Sequence, residues 1–377
     1  MKYELEESSG LKEVPASEIL AKIERIEPVE YDRIRIKGEL DLSKLDLPME
    51  QVARTEFQIK RLGLPDEYKV VSSSIMIKNS TFDAKVNFSN CFFRSRVSFN
   101  NTTFSGNADF KGAIFNEGDT FGDDSDFMEA TFSGNADFRG TIFNGYPVFW
   151  YANFSGNAEF IEATFSKAGF EGSTFSEGVL FLGATFRGDA DFSDATFMRD
   201  ALFNEAKFEG EVLTFKDATF ADARSQERAC RRAKNELEKN GNREEAGYHF
   251  YREMEGKRKQ KPWYIRYPEF FFIQLIFGYG VHPFRLMFYW FAVATIFAFI
   301  YSAEGGIISK LPASSLPQPL SYFVECFYFS IVTAVTPGYG KYELTSWVYQ
   351  VIASIEAIFG TFMWAAFIAT FARKYMR

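Results

Sequence analysis

From Phe82 to Phe220 a phenylalanine returns at almost every fifth or sixth residue, and this run, more than any other feature, limits what the chain can fold into. The two step lengths mostly alternate, so the repeating unit is about eleven residues long. Two positions before many of these phenylalanines stands a small residue, as in Ala136 before Phe138, Ala158 before Phe160 and Ala184 before Phe186. Neither the 3.6-residue period of a helix nor the two-residue period of a simple strand reproduces that spacing. A solenoid does: each short segment forms one face and turns a corner, with the phenylalanine and the alanine pointing inward. The Ser, Asn, Asp, Gly and Arg between them then face solvent.

Segments such as Ala108-Asp-Phe110-Lys-Gly112 and Ala136-Asp-Phe138-Arg-Gly140 resemble the pentapeptide-repeat family, in its variant with occasional six-residue steps. That resemblance implies a right-handed quadrilateral beta-helix. With four faces a turn takes about 22 residues, giving six or so coils and, at about 4.8 Å per stacked strand, a rod roughly 30 Å long. Between 82 and 222 there are 22 Asp and Glu against 10 Lys and Arg, consistent with a solvated acidic surface. Some soluble members of this family resemble DNA in shape and charge and bind topoisomerases. Here the rod is tied to apolar sequence, and no nucleic-acid partner is expected.

On either side the composition changes. Residues 1–70 read as an N-terminal cap, with helical spacing over Ala16 to Arg25 and alternating apolar residues after Ile34; residues 71–220 form the beta-helix. Residues 221–261 lose the phenylalanine period and gain charge. Cys230, Ala233 and Leu237, then Ala246, Phe250 and Met254, predict two helices that close the rod as a hairpin. Its basic tail, Lys257-Arg-Lys-Gln-Lys261, suits a membrane surface.

The remainder is apolar, although the mean hydropathy of the whole chain is only -0.17. Residues 262–283 contain a run too short to span a bilayer and are read as an interfacial helix. Spans are predicted at 284–302, with Tyr289, Trp290 and Tyr301 as interfacial anchors, and at 347–372. Basic clusters flank the pair and the intervening stretch is nearly neutral, so both termini are expected in the cytoplasm of a multi-pass protein of the cell membrane. Met1-Lys-Tyr-Glu-Leu-Glu-Glu7 does not have the pattern of a cleavable signal peptide.

Between the spans, a short helix is expected at 322–335, capped by Ser321 and re-entrant because about fourteen residues cannot cross a bilayer. Thr336-Pro337-Gly338-Tyr339-Gly340 follows it and resembles the selectivity filter of potassium channels, whose carbonyl oxygens replace the ion's hydration shell. Outer span, pore helix, filter and inner span together resemble a two-transmembrane potassium-channel pore domain. The expected fold is thus a multidomain membrane protein, a beta-helix followed by an all-alpha pore domain. The resemblance implies a homotetramer that conducts cations, potassium above all, with Thr333 supporting the filter and Gly360 as the inner-helix hinge. Pro337 stands where those channels have Val, and Lys341 at the outer mouth where most have Asp. Proline removes a backbone donor and biases Thr336 away from the α region. Glu356, one turn before Gly360, is either hydrogen-bonded to a neighbouring helix or lines the cavity.

Cys91, Cys230 and Cys326 are too scattered for a disulfide framework, and with His249 and His282 they compose neither a metal site nor a nucleophilic triad. No enzymatic activity and no cofactor beyond permeant K⁺ are expected. A cytoplasmic rod that biases gating is the leading reading. A membrane-anchored interaction scaffold, whose pore-like domain conducts weakly or only oligomerises it, is the alternative.

Overall fold

The computed structural model describes residues 11–116, 125–303, 305–309, 317, 320–335 and 342–375. The chain divides into two compact units, Met1–Gln260 and Lys261–Arg377.

The first unit is a four-faced β-solenoid. One face is a sheet of nine parallel strands, from Lys12–Pro15 to Thr219–Phe220; a second has eight strands and a third seven. The fourth face consists of two three-stranded sheets joined only by isolated bridges at Ser98–Asp126, Asp126–Val148 and Val148–Gly169. Most strands are two residues long and pair with the equivalent residues of the next coil, as Thr131 does with Asn153 and Ala136 with Ala158. The period arises here: the second residue of each Thr-Phe strand points inward, and so does the Phe that follows each Ala-Asp strand. Four columns of rings fill the bore. Phe110, Phe138 and Phe160 stack with centroids 4.8 and 4.9 Å apart and nearly parallel planes, at the spacing of the strands themselves. The alanines lie buried among these rings, and in some coils Val86, Val179 or Leu213 takes the equivalent place.

Two features depart from the expected rod. It is longer than six coils, because the described strands of residues 12–71 pair in register with the later ones: Ile34–Lys37 joins the first face and Glu67–Val71 the second. The first helix, α1 (Ala16–Glu24), turns Ile19 and Ile23 into the same core. In addition, the ladder advances from Phe115 to Phe127 in one long step, and the residues between, among them Phe121, fall largely outside the described residues.

Each coil also turns a left-handed corner two residues after an inward Phe. Non-glycine residues occupy that position at Asn90, Asn101, Glu129, Glu162 and Asp194, and glycine at Gly112 and Gly140. At Gly140 a Cβ would lie 2.6 Å from Leu64 Cδ1, because the excursion between Met49–Gln51 and Glu67–Val71 folds over these corners. That excursion contains α2 (Glu56–Lys60), whose start is closed by a capping box between Thr55 and Gln58. It is fastened by Arg54, which donates through Nη2 to Gly112 O at 2.8 Å.

At the C-terminal end, α3 (Ala223–Lys239) and α4 (Arg243–Lys259) form a hairpin over the last coil. Asp222 caps α3 by accepting from Ser225 N, and Ala229 and Ala233 enter the solenoid core. Free carbonyls of the last coil find donors in the hairpin: Asn240 Nδ2 reaches Gly210 O and Glu211 O, Arg232 reaches Ala206 O and Arg252 reaches Ala218 O. This answers the exposed-edge problem of any open sheet. In α4 the buried face is Ala246, His249, Glu253 and Gly256, while Phe250 and Met254 are half-buried, a rotation from the expected stripe. The polar residues are drawn inward by partners: Glu253 lies between Arg231 Nε at 2.9 Å, Lys257 Nζ at 2.7 Å and Lys234 Nζ at 3.4 Å.

The second unit opens with α5 (Trp263–Pro268), then widens into a π-helical stretch, Glu269–Ile276, and a 3₁₀ turn, Gly278–Gly280. The expected single interfacial helix is therefore broken. Pro268, which has no N–H to give, sits where the winding changes. Trp263, Tyr264, Tyr267, Phe271 and Phe272 are exposed along it. Three longer helices follow, α6 (Pro283–Ala303), α7 (Leu320–Val335) and α8 (Trp347–Tyr375).

Candidate pore site

Pro283–Ala303 and Trp347–Ala372 are the two described segments long and apolar enough to cross a membrane. At about 1.5 Å per residue each exceeds the roughly 30 Å of a bilayer's hydrocarbon core. Phe284, Phe288, Ile296 and Phe299 on α6, and Ile355, Ile358 and Phe362 on α8, are exposed in the single chain, as residues meant for lipid or another subunit should be. At 16 residues α7 is too short to cross, and it packs against both spans.

What holds α7 there is partly a feature the sequence did not disclose. Ile307–Ser309 and Tyr342–Leu344, on either side of α7 in the chain, pair as an antiparallel ribbon. Tyr322 in the first turn of α7 donates its hydroxyl to Ile307 O at 3.0 Å. Ala298, Tyr301, Ile307, Cys326, Phe329, Tyr342 and Ala353 form the core beneath. Ser321 lies inside α7, buried, and its amide donates to Pro317 O; the helix begins before it, so Ser321 is not its cap.

The predicted site residues divide into three groups. Thr336, Pro337, Gly338, Tyr339, Gly340 and Lys341 lie outside the described residues. Thr333, in the last turn of α7, is buried, and its Oγ1 has no partner among the described residues. Gly360 and Glu356 both face α7. A Cβ on Gly360 would come within 2.6 Å of Ala334 Cα, so glycine is required there simply for α8 to pass the end of α7.

Glu356 is 1% exposed and takes part in a chain of hydrogen bonds through all three helices. Tyr301 of α6 donates its hydroxyl to Glu356 Oε2 at 2.7 Å. Ser330 of α7 contacts Glu356 Oε1, and its Oγ lies 2.8 Å from Ala294 O on α6. The glutamate thus meets neighbouring helices, the first of the two settings its position allows. Tyr301, expected as an interfacial anchor, is wholly buried as its partner instead. No spacing within α6 distinguishes Tyr301 from Tyr289 or Trp290; only the packing of α8 against it does.

A short helix held between two spans, its end packed on the second, is the architecture of a membrane channel's pore domain. Residues 285–377 match the family model of ion channels, and residues 77–123, 120–160 and 149–196 match that of pentapeptide repeats, which describes nine copies. The chain is a pentapeptide-repeat solenoid fused to an ion-channel domain of the two-transmembrane, potassium-channel-like kind. No curated protein and no solved structure matches it.

Proposed function

We propose that this chain is one subunit of a homotetrameric, potassium-conducting channel whose solenoid lies in the cytoplasm with both termini and biases gating. The observation that carries the reading is α7: a helix too short to span, held between two helices that do span, and followed directly in the chain by Thr336-Pro337-Gly338-Tyr339-Gly340. The C-terminal end of a helix carries partial negative charge, which favours a cation near it. One chain supplies a quarter of such a filter, with Thr333 behind it. Gly360 serves α8 twice, as the point of closest approach to Ala334 and as the position about which the helix bends to open.

Pro337 and Lys341 favour a second reading, a weakly selective or non-conducting pore that serves a membrane-anchored scaffold. Four lysines around the outer mouth repel incoming cations, an effect that salt screens. Recording reversal potentials in planar bilayers with potassium on one side and sodium on the other separates the two. A reversal potential near that of potassium supports the first reading; one near zero, or no current, supports the second. Lys341→Asp is expected to raise single-channel conductance at low salt and to change it little at high salt.

A further inference from the structure

Ser330 has one hydroxyl hydrogen and two oxygens within hydrogen-bonding distance on other helices, Ala294 O at 2.8 Å and Glu356 Oε1. A carbonyl oxygen can only accept, and so can an ionised carboxylate. If Glu356 were charged, Ser330 could satisfy only one of the two, and two lone pairs would face each other across the remaining gap. All three links, Tyr301 to Glu356, Glu356 to Ser330 and Ser330 to Ala294, are made together in one arrangement of protons. Tyr301 donates to Oε2, Oε1 carries a proton and donates it to Ser330 Oγ, and Ser330 donates to Ala294 O.

We propose that Glu356 is a neutral carboxylic acid in the folded channel and that its proton completes a hydrogen-bond chain positioning the end of α7 against both spans. The surroundings agree. Tyr301, Ser330 and Glu356 are each at most 1% exposed, and no charged side chain of α6, α7 or α8 pairs with Glu356 among the described residues. An isolated carboxylate in such a place is costly, whereas a protonated acid with a donor and an acceptor opposite it is fully satisfied. The titratable groups of the same core are the hydroxyls of Tyr301, Tyr322, Tyr342 and Tyr349 and the thiol of Cys326. Glu356 is therefore a positioning residue: it acts through Ser330, three residues before Thr333.

The proton count makes an unusual prediction about substitutions. Glutamine presents an acceptor and, through one of its two N–H bonds, a donor in the places where the neutral acid presents C=O and O–H, so Glu356→Gln should reproduce the three links of the chain. Glu356→Leu should break it, and Ser330→Ala should leave the acid without its acceptor. The reconstituted full-length protein is examined by infrared spectroscopy near neutral pH, together with its thermal unfolding. The wild type is expected to show a carbonyl stretch of a protonated carboxyl that shifts on deuteration. That band should disappear in Glu356→Gln and move toward the frequency of a free acid in Ser330→Ala, while Glu356→Gln keeps the wild-type melting temperature and Glu356→Leu loses it. Absence of the band from the wild type, or a glutamine variant as destabilised as the leucine one, would overturn the proposal. Neither readout needs ion flux, so failure here and failure of the conduction reading are distinguishable.

Discussion

His249 should make the hairpin that closes the solenoid sensitive to mild acid. It lies on the inner face of α4, 1% exposed, with its ring perpendicular to that of Phe215 and Nε2 3.5 Å from Thr214 Oγ1. Nδ1 has no hydrogen-bond partner among the described residues. Burial first, and the nearby Arg252 guanidinium second, lower its pKa from 6.5 to about 4. The folded state thus keeps the ring neutral, while the unfolded chain takes up a proton as pH falls below about 6.5. Stability is present in full above that value, falls between about 6.5 and about 4, and stops falling from this cause below about 4. A gap of that size is worth about 3 kcal/mol in total, of which about 2 kcal/mol is lost between roughly pH 7 and pH 5. Glu253 acts on a lower range: burial pushes its carboxyl up, but hydrogen bonds from Lys257 and Arg231 hold it below the usual range. Its contribution is lost only as pH falls through that depressed value. Amide hydrogen exchange across α3 and α4, corrected for the intrinsic pH dependence of exchange, measures the local opening free energy. The wild type should lose protection from pH 7 to 5, and His249→Gln should show most of that slope removed. Equal slopes in the two proteins would refute the assignment to His249.

Two further outcomes follow from the packing. Phe138→Ala removes a ring stacked on Phe110 and Phe160 and should cost about 3–5 kcal/mol. Because solenoid coils touch only their neighbours, hydrogen exchange should rise in the adjoining coils and stay unchanged in α3 and α4. Gly360→Ala forces a methyl onto Ala334 and should destabilise the second unit by about 1–3 kcal/mol, read as a lower melting temperature in detergent.

The solenoid was legible because a period so unlike that of a helix or an ordinary strand recurs over more than twenty phenylalanines, and nearly all of the described ones are buried for the same reason. What the period does not encode is what breaks it. The strands at Lys12–Pro15 and Ile34–Lys37 belong to the same face as Thr81–Phe82, yet they carry Val and Ile inward in place of Phe. The excursion bearing Arg54 and Leu64 is specified by the corners it covers, at Gly112 and Gly140, far away in the chain. In α4, counting apolar residues pointed to Phe250 and Met254, whereas Glu253 is buried because three cations meet it there, a tertiary fact. The spans were readable from length and hydropathy, and Glu356 was conspicuous as an ionisable residue within one of them. Its partners were not: Tyr301 and Ser330 are ordinary members of their helices until the three helices pack.

The central claim is that this pore conducts. The purified full-length protein, reconstituted into liposomes loaded with potassium and diluted into a potassium-poor medium, tests it most directly. Conduction predicts a potassium efflux that protein-free vesicles lack, and a preference for potassium predicts a slower efflux of sodium from vesicles loaded with sodium instead. Vesicles containing well-folded, correctly assembled protein that release potassium no faster than empty ones would contradict it.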